Sequence, residues 1–157
     1  MLGDRAPAAS RGRTGADLTR ADLSGVNVDG GEFDGAVLDG ADLNGAVISS
    51  CTLRSASLVD TSLIGADLRR SILTSADLRG ANLTGALLPD DLSAFDGARF
   101  DSTTQWSENM RAKAVANSVA GPDGAHVITA PAPPARPATK ARGRRRSREE
   151  TVNLMTW

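Results

Sequence analysis

The stretch "ADLTRADLSG", residues 16–25, sets Leu18 and Leu23 five positions apart, each preceded by Ala-Asp. On an α-helix, five steps of about 100° leave successive leucines about 140° apart, so they spiral and share no face. On an uninterrupted strand five is odd, and successive leucines alternate between faces. Neither element buries the pattern alone. The conflict disappears if the chain bends once per repeat. Each unit is then a short extended segment plus a corner, and every leucine points at a common axis. The spacing predicts a solenoid.

The register holds outward from there. Reading in fives from Ala16 to Asp90 gives fifteen contiguous units, centred on Leu18, Leu23, Val28, Phe33, Leu38 and so on to Leu88. Every centre is a large apolar residue. Two positions before each centre sits something small: ten alanines, plus Val26, Gly31, Cys51, Thr61 and Ser71. Residues two apart in an extended segment share a face, so the small residue also points inward and leaves room for the leucines. The residue between them points outward and is mostly polar, as at Asp17, Asp22, Asn27, Asp42, Asp67 and Asp77. The last position is Gly in eight units, which suits a corner needing unusual backbone angles.

This Ala-(Asp/Asn)-Leu-X-X pattern resembles the pentapeptide-repeat family, continuously over 16–90. The resemblance implies an all-β solenoid, a right-handed quadrilateral β-helix with four repeats per coil. After Leu88 the register slips by two at "PDDLSAFDG" and resumes at 93–97 and 98–102, centred on Phe95 and Phe100. That makes seventeen repeats, about four coils, with a small bulge near Asp91 and Leu92. At roughly 4.8 Å per coil the rod is only about 20 Å long.

A stack of strands exposes an edge at each end, which invites chain-to-chain pairing unless covered. Residues 1–15 are expected to be a disordered N-terminal segment with no convincing cap, ahead of the β-helix at 16–102. Residues 103–121 are expected to form a helical C-terminal cap, with Ser107 as N-cap, helix to Val119 and a stop at Gly121-Pro122. Trp106, Met110, Ala114 and Val119 would then lie over the last coil. The stretch "FDSTTQW" also resembles the finishing coil of many family members. In some relatives such helices make dimers, so the chain is expected as a monomer or as a homodimer through this helix. Residues 122–157 read as a Pro/Ala/Arg-rich disordered tail with too few apolar groups to fold. Its closing "SREETVNLMTW" places Ser147 and Glu150 at capping-box spacing ahead of Val152, Leu154, Met155 and Trp157. That closing stretch is either a frayed terminus or a short segment that folds on a partner.

Charge is the one functional clue on the coil. The net charge is −1, yet residues 16–50 hold seven acids (Asp17, Asp22, Asp29, Glu32, Asp34, Asp39, Asp42) against Arg20 alone. Residues 51–90 hold four acids and four bases. Some family relatives are acidic rods that resemble duplex DNA, bind type II topoisomerases and protect against quinolones. This chain departs from them: half of the coil is electroneutral, and Arg54, Arg69, Arg70 and Arg79 interrupt the acidic surface. A duplex shows one charge per roughly 1.7 Å of axis, so about 20 Å would need about twelve charges. The tail is the opposite pole. Arg142, Arg144, Arg145, Arg146 and Arg148 could condense on a polyanion without reading sequence, or fold back on the acidic coils.

Catalysis has little to work with. The lone His126 is expected in a Gly/Pro-flanked loop with no nucleophile beside it, and Cys51 at an inward site acts as a compact hydrophobe. One cysteine permits neither an intramolecular disulfide nor a multi-cysteine metal site. Asp22 and Asp42 stack, but on a convex, watered surface with nothing to raise a pKa or orient a substrate. No cofactor motif is present. The first fifteen residues lack the apolar core of a signal peptide, and no apolar run approaches spanning length, so a cytoplasmic protein with no membrane partner is expected. The Ala/Gly/Arg/Asp-heavy composition suggests a bacterial source. The sequence therefore leads to a non-enzymatic interaction or scaffold protein with an unidentified protein partner. The alternatives are a DNA-mimicking regulator or protector of a type II topoisomerase, and nucleic-acid association through the tail.

Overall fold

The computed structural model describes residues 15–131. Its repeat is visible in the backbone pairing. Parallel bridges join residues twenty apart in four ladders: Asp17–Val37–Ser57–Asp77, Asp22–Asp42–Ser62–Asn82, Asn27–Val47–Asp67–Leu87 and Glu32–Thr52–Ile72. Each turn of the coil therefore uses four pentapeptides, one per side, and these are the first to fourth sides below. One rung shows the chemistry. The Leu38 N–H donates upward to the Ser57 carbonyl at 2.7 Å, and the Ser57 N–H donates back to the Ala36 carbonyl at 2.8 Å. The corner adds a third, from the Gly40 N–H to the Val59 carbonyl at 2.8 Å, so three bonds per side hold each coil on the next.

The corner follows from the fifth residue. At fifteen consecutive fifth positions from Gly15 to Gly85 the backbone has φ between 54° and 74°. At the first corner the Ala21 N–H donates to the Leu18 carbonyl at 3.0 Å. Positive φ at only the third residue of such a turn is the type II pattern, in which glycine is unstrained. Arg20, Ser50, Ser55, Asp60, Arg70 and Ser75 adopt it as well, at a cost of roughly 1–2 kcal/mol each relative to glycine.

The centres fill the axis. Leu38, Leu43, Leu53, Leu58, Leu63, Leu68, Leu73, Leu78 and Leu83 are all essentially inaccessible, and the small positions are buried beside them. Burying one such leucine stabilises the fold by about 1.5–3 kcal/mol. Polar small residues are satisfied inside: the Thr61 hydroxyl donates to the Leu38 carbonyl at 2.7 Å and the Ser71 hydroxyl to the Ile48 carbonyl at 2.5 Å. Where Gly31, Cys51 and Ser71 stack, they link one another. The Cys51 N–H donates to Ser71 Oγ at 3.1 Å, and the Gly31 N–H donates to Cys51 Sγ at 3.2 Å.

The register slip after Leu88 is present. The usual nineteen-residue step between a centre N–H and the carbonyl above it becomes twenty-one at Leu73–Ala94, and a 3₁₀ turn at Leu92–Phe95 takes up the difference. The Asp91 carboxylate caps that turn by accepting from the Ser93 N–H. A further residue is inserted after Phe100, because Leu83 now pairs with Gln105. Thr104 takes the inner small site, where its hydroxyl donates to the Leu78 carbonyl at 2.9 Å, and buried Trp106 takes the centre.

Beyond Trp106 the structure corrects three expectations. Helix α1 spans Glu108–Ala116, shorter than the expected run to Val119. Ser107 precedes it in extended conformation, but its side chain makes no capping hydrogen bond. Met110 and Ala114 are buried as expected, whereas Val119 lies in a strand and is 61% exposed. Secondly, the expected helical stretch at 103–121 gives way at its end to strand β2, Ser118–Ala120. Thirdly, the tail does not begin at 122. Residues His126–Ile128 form β3, which pairs antiparallel with β2 and with β1 (Arg99–Phe100) in the order β1-β3-β2. Ile128 is fully buried, and its N–H donates to the Ala98 carbonyl at 2.8 Å. Burial of Ile128 and Ala125 together with this pairing outweighs the Gly and Pro signals around them. The expected disorder at 1–15 falls almost wholly outside the described residues, as do 132–157.

Candidate functional site

An Asp or Asn at the second position of a unit has a structural task that the sequence reading passed over. The Asp17 carboxylate accepts from the Thr19 N–H at 3.1 Å and the Thr19 hydroxyl at 2.6 Å, and Asp22 does the same with Ser24. Those bonds hold both carboxyls below the usual aspartate range, the hydroxyl acting most strongly. Asn82 with Thr84 and Asp101 with Thr103 repeat the motif. An Asp or Asn followed two residues on by Ser or Thr is the readable signal, an Asx-turn that braces the corner.

The seven acids of the candidate surface do not gather into one patch. Asp17 lies on the first side, Asp22 and Asp42 on the second, and Glu32 on the fourth, at their ladder positions. Asp29, Asp34 and Asp39 follow centres of the third, fourth and first sides. Asp22 and Asp42 are direct stacking partners. Asp29 accepts from the Ser49 hydroxyl at 3.1 Å, and Asp39 from the Ser57 hydroxyl at 2.5 Å. Asp34 accepts from the Arg54 N–H at 2.9 Å and has the Arg54 guanidinium at 3.5 Å. The acids ring the N-terminal coils.

The arginines of the later coils are mostly engaged. Arg69 forks onto Asp67 at 3.0 and 2.7 Å, and Arg79 onto Asp77 at 2.9 and 2.6 Å. Arg69 and Arg70 line a hollow of about 290 Å³ with Asp29, Ser49 and Ser50. A larger groove, about 570 Å³, runs between the last repeat of the third side, 86–90, and the start of α1. Leu87, Leu88, Pro89 and Met110 give it an apolar floor, with Arg69, Asp90, Glu108 and Lys113 around it.

His126 is placed differently from expectation. It lies in β3, stacked on Phe100 with ring centroids 5.2 Å apart, and its Nδ1 is 3.4 Å from the Ser118 hydroxyl. That hydroxyl also donates to the Val115 carbonyl at 3.1 Å. No carboxylate orients the imidazole in these contacts, and neither groove includes the pair. Cys51 is buried, and burial pushes its thiol up, away from the thiolate a nucleophile needs. Among the described residues no three His, Cys, Asp or Glu side chains gather into a metal-holding group, and no helix is long and apolar enough to cross a membrane. Arg142, Arg144, Arg145, Arg146 and Arg148 lie outside the described residues.

The family model "Pentapeptide repeats" matches in eight copies, over residues 16–54 and 51–88. The chain belongs to the pentapeptide-repeat family. Pentapeptide-repeat proteins form right-handed quadrilateral β-helices and are generally non-enzymatic structural or interaction modules. Among solved members, this chain is similar to alr5209 from Nostoc PCC 7120, at 36% identity over 60% of this chain and 77% of that one, TM-score 0.43. Rfr23 from the cyanobacterium Cyanothece 51142 is 32% identical over 57% of this chain and 63% of its own, TM-score 0.43. HetL, a pentapeptide-repeat protein involved in heterocyst differentiation regulation from Nostoc sp. strain PCC 7120, is 27% identical over 55% of this chain, TM-score 0.43. The chain spans only 47% of HetL. No curated protein matches it.

Proposed function

We propose that this pentapeptide-repeat protein is a non-enzymatic interaction module that meets a protein partner on the outside of its coil. The observation that carries this reading is the stacking of outward residues into four straight ladders at a twenty-residue register. Such ladders present fixed rows of side chains on a rigid support, as repeat proteins do along their binding surfaces. The coil count of about four, with α1 and the β1–β3 sheet covering the last coil, belongs to the same proposal. Buried Met110, Ala114 and Ile128 support it.

The test is a charge and face scan in the full chain, read by co-purification from the native host. Ser57→Arg, Ser62→Arg, Val47→Arg and Thr52→Arg each mark one side. Loss of the same partner from one or two adjacent sides supports the module; equal loss from all four, with the fold intact, overturns it. A type II topoisomerase is the specific partner to examine first, because residues 16–50 carry the acidic excess. Gyrase supercoiling is measured with wild type, with Asp22, Asp29, Asp34 and Asp42 changed to Asn, and with the five tail arginines changed to Ser. Inhibition lost only in the Asn variant assigns mimicry to the coil. Inhibition lost only in the Ser variant assigns it to tail contact with DNA. A homodimer through this end is supported by exposed Val115 and Val119, and Val119→Asp would then halve the mass measured by light scattering.

A further inference from the structure

The cap carries an unpaired strand edge that is complementary to itself. In the order β1-β3-β2, strand β2 (Ser118–Ala120) lies outermost. The Gly121 N–H donates to the Ala125 carbonyl at 2.7 Å, and the Thr129 N–H to the Asn117 carbonyl at 2.8 Å. Hydrogen-bonded pairs alternate along an antiparallel ladder, so Val119, midway between those two bonds, directs its own N–H and C=O at Val127. The N–H and C=O of Ser118 and of Ala120 therefore point away from β3. Among the described residues nothing pairs with them. Side chains alternate in the same way. Val119, 61% exposed, shares its face of the sheet with Val127 and Arg99, while buried Ile128 lies on the opposite face with Ser118.

Resting on the homodimer proposed above for this end, we infer that it forms by antiparallel pairing of β2 with the β2 of a second copy, in register about Val119. A two-fold axis at Val119 sets Ser118 opposite the second copy's Ala120, and Ala120 opposite its Ser118. Each of these pairs exchanges both backbone hydrogen bonds, which satisfies every free N–H and C=O of the two edges. Val119 meets its own copy at the non-hydrogen-bonded position, where facing side chains lie closest. The contact is isologous, one patch serving both copies, and joins two three-stranded sheets into one. Charge favours this end over the other. Ser118, Val119 and Ala120 include none of the charges or prolines that blunt an exposed edge. The first coil is also open below, but three of its four pairing residues, Asp17, Asp22 and Glu32, are acidic. Two copies meeting there would set like charges against each other. A three-residue edge is small beside the roughly 1,200–2,000 Å² of a stable complex, so the dimer is expected to be weak and concentration-dependent.

Sedimentation equilibrium and NMR amide exchange on the full chain, over a hundredfold dilution, test the pairing. The Ser118 and Ala120 N–H groups should exchange at least tenfold more slowly at the concentrated end. The Ile128 N–H, already paired to Ala98 within the cap, should be unchanged and reports that the fold survives. Ala120→Pro removes an edge donor and should weaken association at least tenfold. Val119→Lys keeps every backbone group and should do the same, which covers the case in which proline disturbs the cap. Val115→Asp, on α1, should weaken association less than threefold. A dimer that survives Ala120→Pro, is lost in Val115→Asp and shows no dilution effect at Ser118 or Ala120 overturns the strand pairing while leaving a homodimer through the helix. A monomer at every concentration overturns both.

Discussion

The regular coil and the C-terminal end solve the same problem with different materials. From Leu38 to Leu83 the axis is filled by aliphatic centres, each resting on an equivalent residue twenty positions away. At the end nothing stacks above, and the filling changes. Phe95, Phe100 and Trp106 form an edge-on cluster, with Trp106 centroids 6.1 Å from Phe95 and 5.4 Å from Phe100. An antiparallel sheet and one helix replace the parallel ladder. The coil gains stability by repetition, since every leucine has the same neighbours above and below. The end depends on a few contacts that occur once. Damage should therefore spread differently in the two regions.

The largest effect is expected inside the coil. Leu63→Ala removes a fully buried centre between rungs whose backbone bonds prevent collapse, and should cost about 3–4 kcal/mol in urea unfolding. A loss below about 1 kcal/mol would mean that the coils close over the cavity and that the stack is softer than its ladder suggests. Trp106→Ala should come next, at about 3 kcal/mol, the low end for a large aromatic because its ring is not wholly enclosed, and its signature should be local. Amide protection at Val127 and Ile128 should fall while that at Leu53 and Leu58 persists. Equal loss everywhere would show that the end and the coil are one cooperative unit, erasing the distinction.

This contrast also explains what the sequence disclosed. The five-residue period, the inward small site, the corner glycines and the slip at Asp91 were all legible, because each is a local rule applied many times. The extra residue before Thr104 was not, since only its pairing with Leu78 and Leu83 reveals it. Strand β3 was hidden for the same reason: "AHVI" between "PDG" and "TAP" is too short to signal a strand and is held by β1, nearly thirty residues earlier. The acidic excess was legible as charge, but its distribution around four sides, and the use of Asp17 and Asp22 as corner braces, needed the register in three dimensions.

Smaller effects separate an inner glycine from a corner. Gly31 has no positive φ, but a Cβ there would sit 2.7 Å from Val28 Cγ1 and 2.8 Å from a Phe33 ring carbon. Gly31→Ala should cost about 1–2 kcal/mol through overpacking. Arg70 is the reverse case. It already holds φ at 63° with an exposed side chain, so Arg70→Gly should relieve strain and, after glycine's greater loss of chain freedom on folding, raise stability by about 0.5–1 kcal/mol. A decrease on that substitution would show that Arg70 makes a contribution the corner geometry does not express.

The smallest expected effect belongs to Asp77. Partial burial pushes its carboxyl up, but the Arg79 hydrogen bonds and the charges of Arg79 and Arg99 together outweigh this, and the group titrates below the usual aspartate range. A folded-state pKa below the unfolded value of about 3.9 gives stabilisation that is fully present above about pH 5 and is lost as pH falls through the folded value. Because Arg79 is partly exposed, solvent screening should hold the contribution under about 1 kcal/mol. Asp77→Asn should therefore be slightly destabilised at pH 7, and the difference from wild type should shrink toward zero in strong acid. No difference between the two at pH 7 would assign the effect of Asp77 to its backbone bond with Arg79, which an asparagine can keep, rather than to its charge. The brace would then be the same neutral Asx-turn that Asn82 forms on the next side.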